Sequence, residues 1–191
     1  MSVLTLKGPR WVTVRQHRRA LWALPAAVAA SLAVVAALRW WASIPSGLRS
    51  HHPDGPLRVG MEYAGMAMLL LPLLLGAFVA GPMVARELES GTYRLALTQS
   101  STARAWLASK ITVAAAAAVA CSAALAGVYR LGWAPLDGTH QFSWADRGPY
   151  EALGTVLVAY CLLGVALGTL VGQLVRRTLA AMAVTGLVTG W

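Results

Sequence analysis

Charged residues are scarce in this sequence: they make up 12% of its 191 residues, and only seven of them are Asp or Glu. Apolar residues make up 58%, and the mean hydropathy is +0.60. One small soluble core could not bury that much apolar surface, which excludes an ordinary soluble domain. The excess apolar surface must face lipid.

Cysteine is also rare, which bears on metal and redox sites. Cys121 and Cys161 lie in apolar runs, without the CxxC or Cys/His spacing that such a site needs, and we predict that both are small core residues. His51 and His52 adjoin Asp54, but two adjacent histidines with one carboxylate give poor ligand geometry. The sequence therefore predicts no metal site.

Motifs of enzymatic chemistry are missing as well. There is no GxxxxGK(S/T) loop to cradle the phosphates of ATP, and neither GxSxG nor HExxH occurs. The long apolar stretches contain no Asp, Glu, Lys or Arg, where an ionisable side chain would be the first candidate for a proton relay. We predict that the chain is not an enzyme and binds no cofactor itself.

Basic residues are present in excess, with sixteen Lys and Arg and a formal net charge of +9. In a soluble protein this charge would suggest nucleic acid. Here the bases lie in short segments between apolar stretches, where Lys and Arg set the orientation of a membrane protein. We interpret them as topology signals and predict no nucleic-acid partner.

Four charge-free apolar stretches are long enough to cross a bilayer as helices, since about 20 helical residues rise about 30 Å. Their apolar residues are continuous rather than alternating, which excludes a barrel. The four predicted spans cover residues 20–38, 63–85, 111–129 and 152–175. A fifth stretch, 178–191, has 14 residues and is predicted to be a short or truncated fifth span. The fold class is thus all-α, a single polytopic helix bundle over residues 1–191.

Orientation follows from the bases in the connecting segments. With the N-terminus in the cytoplasm, the interfacial segment 1–19, the inner loop 86–110 and the junction 176–177 hold eleven Lys and Arg. The outer loops 39–62 and 130–151 hold five. This bias predicts a cytoplasmic N-terminus.

Small residues and prolines mark the inside of two spans. Gly164, Gly168 and Gly172 recur every four residues and so fall on one helix face. The pattern predicts a packing face, either within the bundle or, with a functional role, at a dimer or gate interface. Pro25 and Pro72 predict kinks, with or without a hinge function.

The inner loop 86–110 is the most polar and most patterned part of the chain. Two acids precede Gly91, and the residues after it alternate polar and apolar side chains at loosely helical spacing. The pattern predicts a short amphipathic helix at the inner surface. This helix is either part of an ordinary basic loop or a docking surface for a cytoplasmic partner.

The run RELESGTYRLALTQS at residues 86–100, followed by Arg104, Trp106, Leu107 and Lys110, resembles the first cytoplasmic loop of ABC-2 type transporter permeases from high-GC Gram-positive bacteria. Residues 11–20 resemble the N-terminal interfacial segment of that family, and 175–184 resemble its junction between the fourth and fifth spans. The resemblance covers most of residues 11–189.

The resemblance implies the permease subunit of an ABC exporter in the bacterial plasma membrane, paired with another permease as a homo- or heterodimer. It also implies a separate ATPase subunit that binds ATP and contacts a coupling helix in the loop after the second span. The positions of this sequence that match the ATPase-coupling loop are Glu87, Glu89, Gly91, Thr92, Arg94, Thr98 and Gln99.

The family pattern of six spans differs from this sequence, which ends within what resembles the fifth. A truncated gene, a misplaced stop or a fragment would each explain the difference. The alternative hypothesis is therefore a non-transporting membrane interaction or accessory protein, or a truncated permease remnant. The short fifth segment favours this alternative, and the patterned inner loop favours the permease.

Overall fold

The computed structural model describes residues 18–43, 55–98, 102–134, 150 and 155–190, and all regular structure in this part of the chain is helical. The predicted all-α class is confirmed there. The elements are α1 Arg18–Ser43, α2 Gly55–Met68, α3 Leu71–Leu74, a π-helix Leu75–Ala80, α4 Gly81–Glu89, α5 Tyr93–Thr98, α6 Ala103–Trp133, α7 Thr155–Val175 and α8 Thr178–Thr189.

Three helical segments are long and apolar enough to cross a membrane: Val59–Glu89, Ala103–Trp133 and Thr155–Val175. They correspond to the second, third and fourth predicted spans and make the chain a multi-pass membrane protein. The other two predicted spans fall on shorter apolar helices, Pro25–Trp41 within α1 and Thr178–Thr189. The count of four spans plus a fifth, and the cytoplasmic N-terminus, stay predictions.

The segment Val59–Glu89 is broken near its middle, at the predicted Pro72 kink. Proline has no N–H to donate, and its ring clashes with the preceding turn of a helix. α2 accordingly ends at Met68, and the N–H groups of Leu69 and Leu70 bond to carbonyl oxygens only three residues back, at 3.2 and 3.1 Å. Pro25, by contrast, lies inside α1 without interrupting it.

The π-helix forms the next irregularity of this span. It ends where the N–H of Gly81 donates to the carbonyl of Gly76, five residues back, and Pro82 follows directly. Because Pro82 cannot donate, the wider π turn lets the helix continue past it with a changed register. A single span thus carries two places where its axis can bend.

α7 is the central helix of the bundle and packs against the π-helix, α4, α6 and α8. The largest buried cluster around it consists of Leu75, Ala80, Met83, Ala114, Ala118, Leu157, Cys161 and Val165. Cys121 and Cys161 are buried free thiols, as predicted. α1 lies at the edge and packs mainly on α6, through a second cluster of Val35, Met61, Val128, Tyr129 and Trp133.

The predicted glycine face of α7 meets the broken span of the same chain. A Cβ added to Gly164 would press on the carbonyl oxygen of Pro72, and one added to Gly168 would press on the carbonyl oxygen of Gly76. Gly172 makes the equivalent close approach to the backbone at the start of α4. Backbone packs directly on backbone here, which only glycine permits.

Candidate docking surface at one end of the bundle

One end of the bundle gathers the turn after α4, the start of α6 and the linker between α7 and α8. α4 closes with a bond of 3.0 Å from the N–H of Ser90 to the carbonyl of Arg86. Gly91 then takes a φ of +70°, a conformation that side chains with a Cβ rarely adopt. Its carbonyl accepts the N–H of Arg94 at 3.1 Å, and the chain turns into α5. The short helix predicted for this loop is thus α5, although the side chains of residues 95–97 lie outside the described ones.

Glu87 ties α4 to α6. Its Oε1 accepts from Nζ of Lys110 at 2.5 Å, and its Oε2 accepts from Nε1 of Trp106 at 2.8 Å. The side chain of Lys110 is 4% exposed and that of Glu87 is 15% exposed, so the ion pair is largely shielded from water. A shielded pair of this kind holds its two helices in a defined register, because separating opposite charges in a place with little water costs free energy.

Glu89 ties α4 to α8. Its Oε2 accepts from the backbone N–H of Thr178 at 2.9 Å and from the Thr178 hydroxyl at 2.6 Å. Thr178 is the first residue of α8, and the residue before it, Arg177, gives no side-chain cap. The first N–H groups of a helix have no partner inside the helix, and its N-terminus carries partial positive charge. Glu89 therefore serves as the cap of a helix to which it does not belong.

The linker between α7 and α8 is a tight reversal. Arg176 has a φ of +54°, unusual for a residue other than glycine, and its N–H donates to the carbonyl of Gly172 at 3.3 Å. The reversal places Arg176 and Arg177, both exposed, at the same end as the turn after α4.

Exposed arginines dominate this end, and we call them the basic end: Arg86, Arg94, Arg104, Arg176 and Arg177. The Nε of Arg94 donates to the hydroxyl of Tyr93 at 3.5 Å, and its guanidinium lies 6.0 Å from the ring centroid. This hydrogen bond and the charge of Arg94 lower the pKa of the Tyr93 phenol, and the charge of Arg176 lowers it further. Arg94 and Arg176 lie on separate segments of the chain, and the charges of both act on Tyr93.

The candidate coupling residues that the structure describes lie at or next to this end. Glu87 and Glu89 are engaged with α6 and α8, whereas Thr92 is exposed on the turn and Arg94 is exposed at the start of α5. The hydroxyls of Ser90 and Thr92 lie 2.9 Å apart. Thr98 ends α5 with its side chain exposed.

Gln99 lies outside the described residues. The roles of Trp106, Lys110 and Thr178 as partners of the two carboxylates were missed in the sequence. A lysine beside the start of an apolar span was the available signal for the first pair, since a charge there needs a partner.

Within the described residues, no group of three or more His, Cys, Asp or Glu side chains could hold a metal ion.

Comparison with known families identifies a related family. A family model described as ABC-2 membrane transporter related matches residues 46–190, well over half of the chain. Searches among curated proteins and among solved structures found no match. The matched range contains the whole of the loop 86–110, where the resemblance to ABC-2 permeases was noted. The chain therefore belongs to the ABC-2 membrane transporter related family and is a membrane permease of the ABC-2 type, a transport component.

Proposed function

We propose that this chain is the permease subunit of an ABC exporter in the bacterial plasma membrane, and that a separate ATPase subunit, which binds ATP, docks on the basic end. The proposal rests on two side-chain contacts beside the exposed turn: the ion pair of Glu87 with Lys110, and the hydrogen bonds of Glu89 to Thr178. They connect α4 with α6 and α8 at the place where a docked partner would push.

Mechanical coupling requires contacts that pass a displacement from one helix to the next. A partner that displaces the turn moves α4, and the Glu87 pair with Lys110 and the Glu89 cap on Thr178 carry that displacement into two further helices. The break at Pro72 and the π-helix give the same span two bending points. An equilibrium between two packed arrangements, biased by the partner, is the usual form of such a transition.

The basic end also provides the surface for the partner. Exposed arginines attract an acidic face of a partner protein, raise the rate of association and fix the orientation of the bound partner. We place Thr92, Arg94, Thr98 and Gln99 at the contact, together with the arginines of the basic end. Glu87 and Glu89 lie beside the contact and act as positioning residues, since both carboxylate oxygens of Glu87 and Oε2 of Glu89 already accept hydrogen bonds within the chain. A second permease, either a copy of this chain or a different one, completes the transporter in this proposal.

The accessory-protein hypothesis is the second candidate. The family match over residues 46–190 favours the permease over this alternative and over a truncated remnant.

The test is co-purification of the tagged chain with an ATP-binding subunit from its native host, the subunit being identified by mass spectrometry. The Arg94→Glu, Arg104→Glu double variant reverses two charges of the basic end. Arg130→Glu is the matched control, because Arg130 is an exposed arginine on the other end of α6. We expect the double variant to lose the ATPase and the control to keep it. Retention of the ATPase by a well-inserted double variant would contradict docking at this end.

A further inference from the structure

Thr185, on α8, is a buried threonine with an unpaired hydroxyl. The residue is 0% exposed, and its Oγ1 forms no hydrogen bond with any residue that the structure describes. Helical threonines and serines can donate to a carbonyl oxygen three or four residues back. Thr169 and Ser122 do so, to Ala166 at 2.9 Å and to Ala118 at 2.7 Å. An unpaired buried hydroxyl costs free energy, which an arrangement that pairs it would recover.

The hydroxyl of Thr185 lies beside the end of the π-helix. A Cβ added to Gly81, the residue that follows the π-helix, would lie 3.5 Å from Oγ1 of Thr185. The same point is 3.2 Å from the carbonyl oxygen of Gly76. The Cγ2 of Thr185 in turn lies 3.2 Å from the position of a Cβ on Gly76. Thr185 therefore packs against both residues of the π-type hydrogen bond that Gly81 donates to Gly76.

This hydrogen bond has an alternative within the same helix. In the π spacing the donor to the carbonyl of Ala77 would be residue 82, but Pro82 has no N–H. If Gly81 instead donated to Ala77, four residues back as in an α-helix, that carbonyl would gain a donor. The carbonyl of Gly76 would then lose its donor, and the hydroxyl of Thr185 lies where it could replace it.

We propose that the π-helix has a second register, in which Gly81 donates to Ala77 and the hydroxyl of Thr185 donates to Gly76. The change moves the wide turn by one residue, and so changes how this span packs against α7 and α8. Thr185 acts as a latch that stabilises the second register and contributes no hydrogen bond to the first. Such a pair of packed arrangements within one helix is a form that conformational transitions take, and π-helices are frequent at functional sites. The proposal concerns this chain alone and does not rest on the docking of an ATPase, so either can fail without the other.

Hydrogen exchange of backbone amides tests the proposal, because it reports openings that are too rare to observe directly. The N–H of Gly81 is unbonded while it passes from Gly76 to Ala77, so its exchange rate follows access to the second register. The wild type, Thr185→Val and Thr185→Ser are compared as full chains in detergent micelles. Mass spectrometry with electron-transfer fragmentation resolves the amides of residues 76–81.

Removing the hydroxyl should slow exchange at Gly81. Valine keeps the shape of threonine and cannot donate, so we expect about fivefold slower exchange in Thr185→Val, as the loss of one hydrogen bond from the second register implies. Thr185→Ser keeps the donor and should exchange at close to the wild-type rate. Thr169→Val is the matched control, since Thr169 is a buried threonine on α7 whose hydroxyl is already bonded. It should not slow exchange at residues 76–81.

Thermal unfolding separates a latch from a structural hydroxyl. Thr185→Val should melt at or above the wild-type temperature, because the hydroxyl that it removes has no partner in the first register. Faster exchange at Gly81 in this variant, or a much lower melting temperature, would show that the hydroxyl supports the arrangement described here. Unchanged exchange would show that the hydroxyl has no part in a second register, and equal slowing by serine and valine would trace the effect to shape. Each of these results overturns the proposal.

Discussion

The carboxylate of Glu89 caps α8 across 89 residues of sequence, accepting both the N–H and the hydroxyl of Thr178 through one oxygen. The end of α4 and the start of α8 are therefore held together by a contact that neither helix contains alone. A change at either residue is expected to be felt in the other helix.

Loss of this cap should loosen the first turn of α8. In Glu89→Gln the neutral amide is a weaker partner for a helix N-terminus than the carboxylate, because it carries no charge to match the helix dipole. We expect faster hydrogen exchange of the backbone amides at residues 178–180, measured by mass spectrometry. Glu62→Gln, an exposed carboxylate on α2, is the control and should leave these amides unchanged. Equal exchange in Glu89→Gln and wild type would show that the cap does not order α8.

The ion pair of Glu87 and Lys110 should be strongly coupled. Glu87→Ala leaves the shielded ammonium of Lys110 without this partner and should lower the free energy of unfolding by about 3 kcal/mol. The double variant Glu87→Leu, Lys110→Met replaces both charges by apolar groups and should recover most of that loss. Denaturant titration in micelles measures both values. A double variant that is no more stable than Glu87→Ala would mean that the two residues do not act as a pair.

Replacing glycine by alanine should lower the stability of the protein on the packed face of α7, but not at helical glycines where a Cβ has open space. Gly168→Ala pushes a Cβ against the carbonyl of Gly76 and should destabilise the protein by about 2 kcal/mol. Gly127→Ala and Gly186→Ala are matched controls in helices, since a Cβ at either position meets nothing within 4 Å. They should be neutral or stabilising by up to about 1 kcal/mol, because alanine is the better helix former. Equal effects at all three positions would refute the close approach.

The turn at Gly91 should be sensitive to backbone conformation rather than to space. A Cβ there meets nothing within 4 Å, but the φ of +70° makes any such residue strained. Gly91→Val should therefore cost about 1–2 kcal/mol, and Gly91→Asn should cost less because asparagine tolerates the left-handed region. Under the proposed function, ATPase recovery should fall in the same order. A valine variant that keeps full stability and full recovery would remove this turn from the mechanism.

Three of the predicted spans could be recognised because the thickness of the bilayer fixes the length of a charge-free helical run, however the helices pack. The glycine face and the buried cysteines could be predicted because helical period is a local property. The bend at Pro72 was expected, but the π-helix was not, since its register depends on how the span resumes contact with α7 beyond Pro82.

The contacts of Glu87 with Lys110 and of Glu89 with Thr178 at the basic end could not be predicted from local sequence pattern. Glu87 and Lys110 are 23 residues apart, and Glu89 and Thr178 are 89 apart, so their pairing depends on how the helices pack. The loop was recognised from its sequence, and its acids were placed at or beside a partner contact. The structure engages both acids inside the chain, and the contact with a partner, like the cytoplasmic orientation, stays a prediction.

The backbone seam between α7 and the broken span has a genetic consequence. Every amino acid that a single base change can put in place of glycine carries a Cβ, and at Gly164 or Gly168 that atom would meet a carbonyl oxygen of the facing helix. No missense change of one nucleotide at these two codons preserves the spacing of the helices. Substitutions at Gly164 or Gly168 are therefore expected to be tolerated only if the backbone of the facing helix has first moved away.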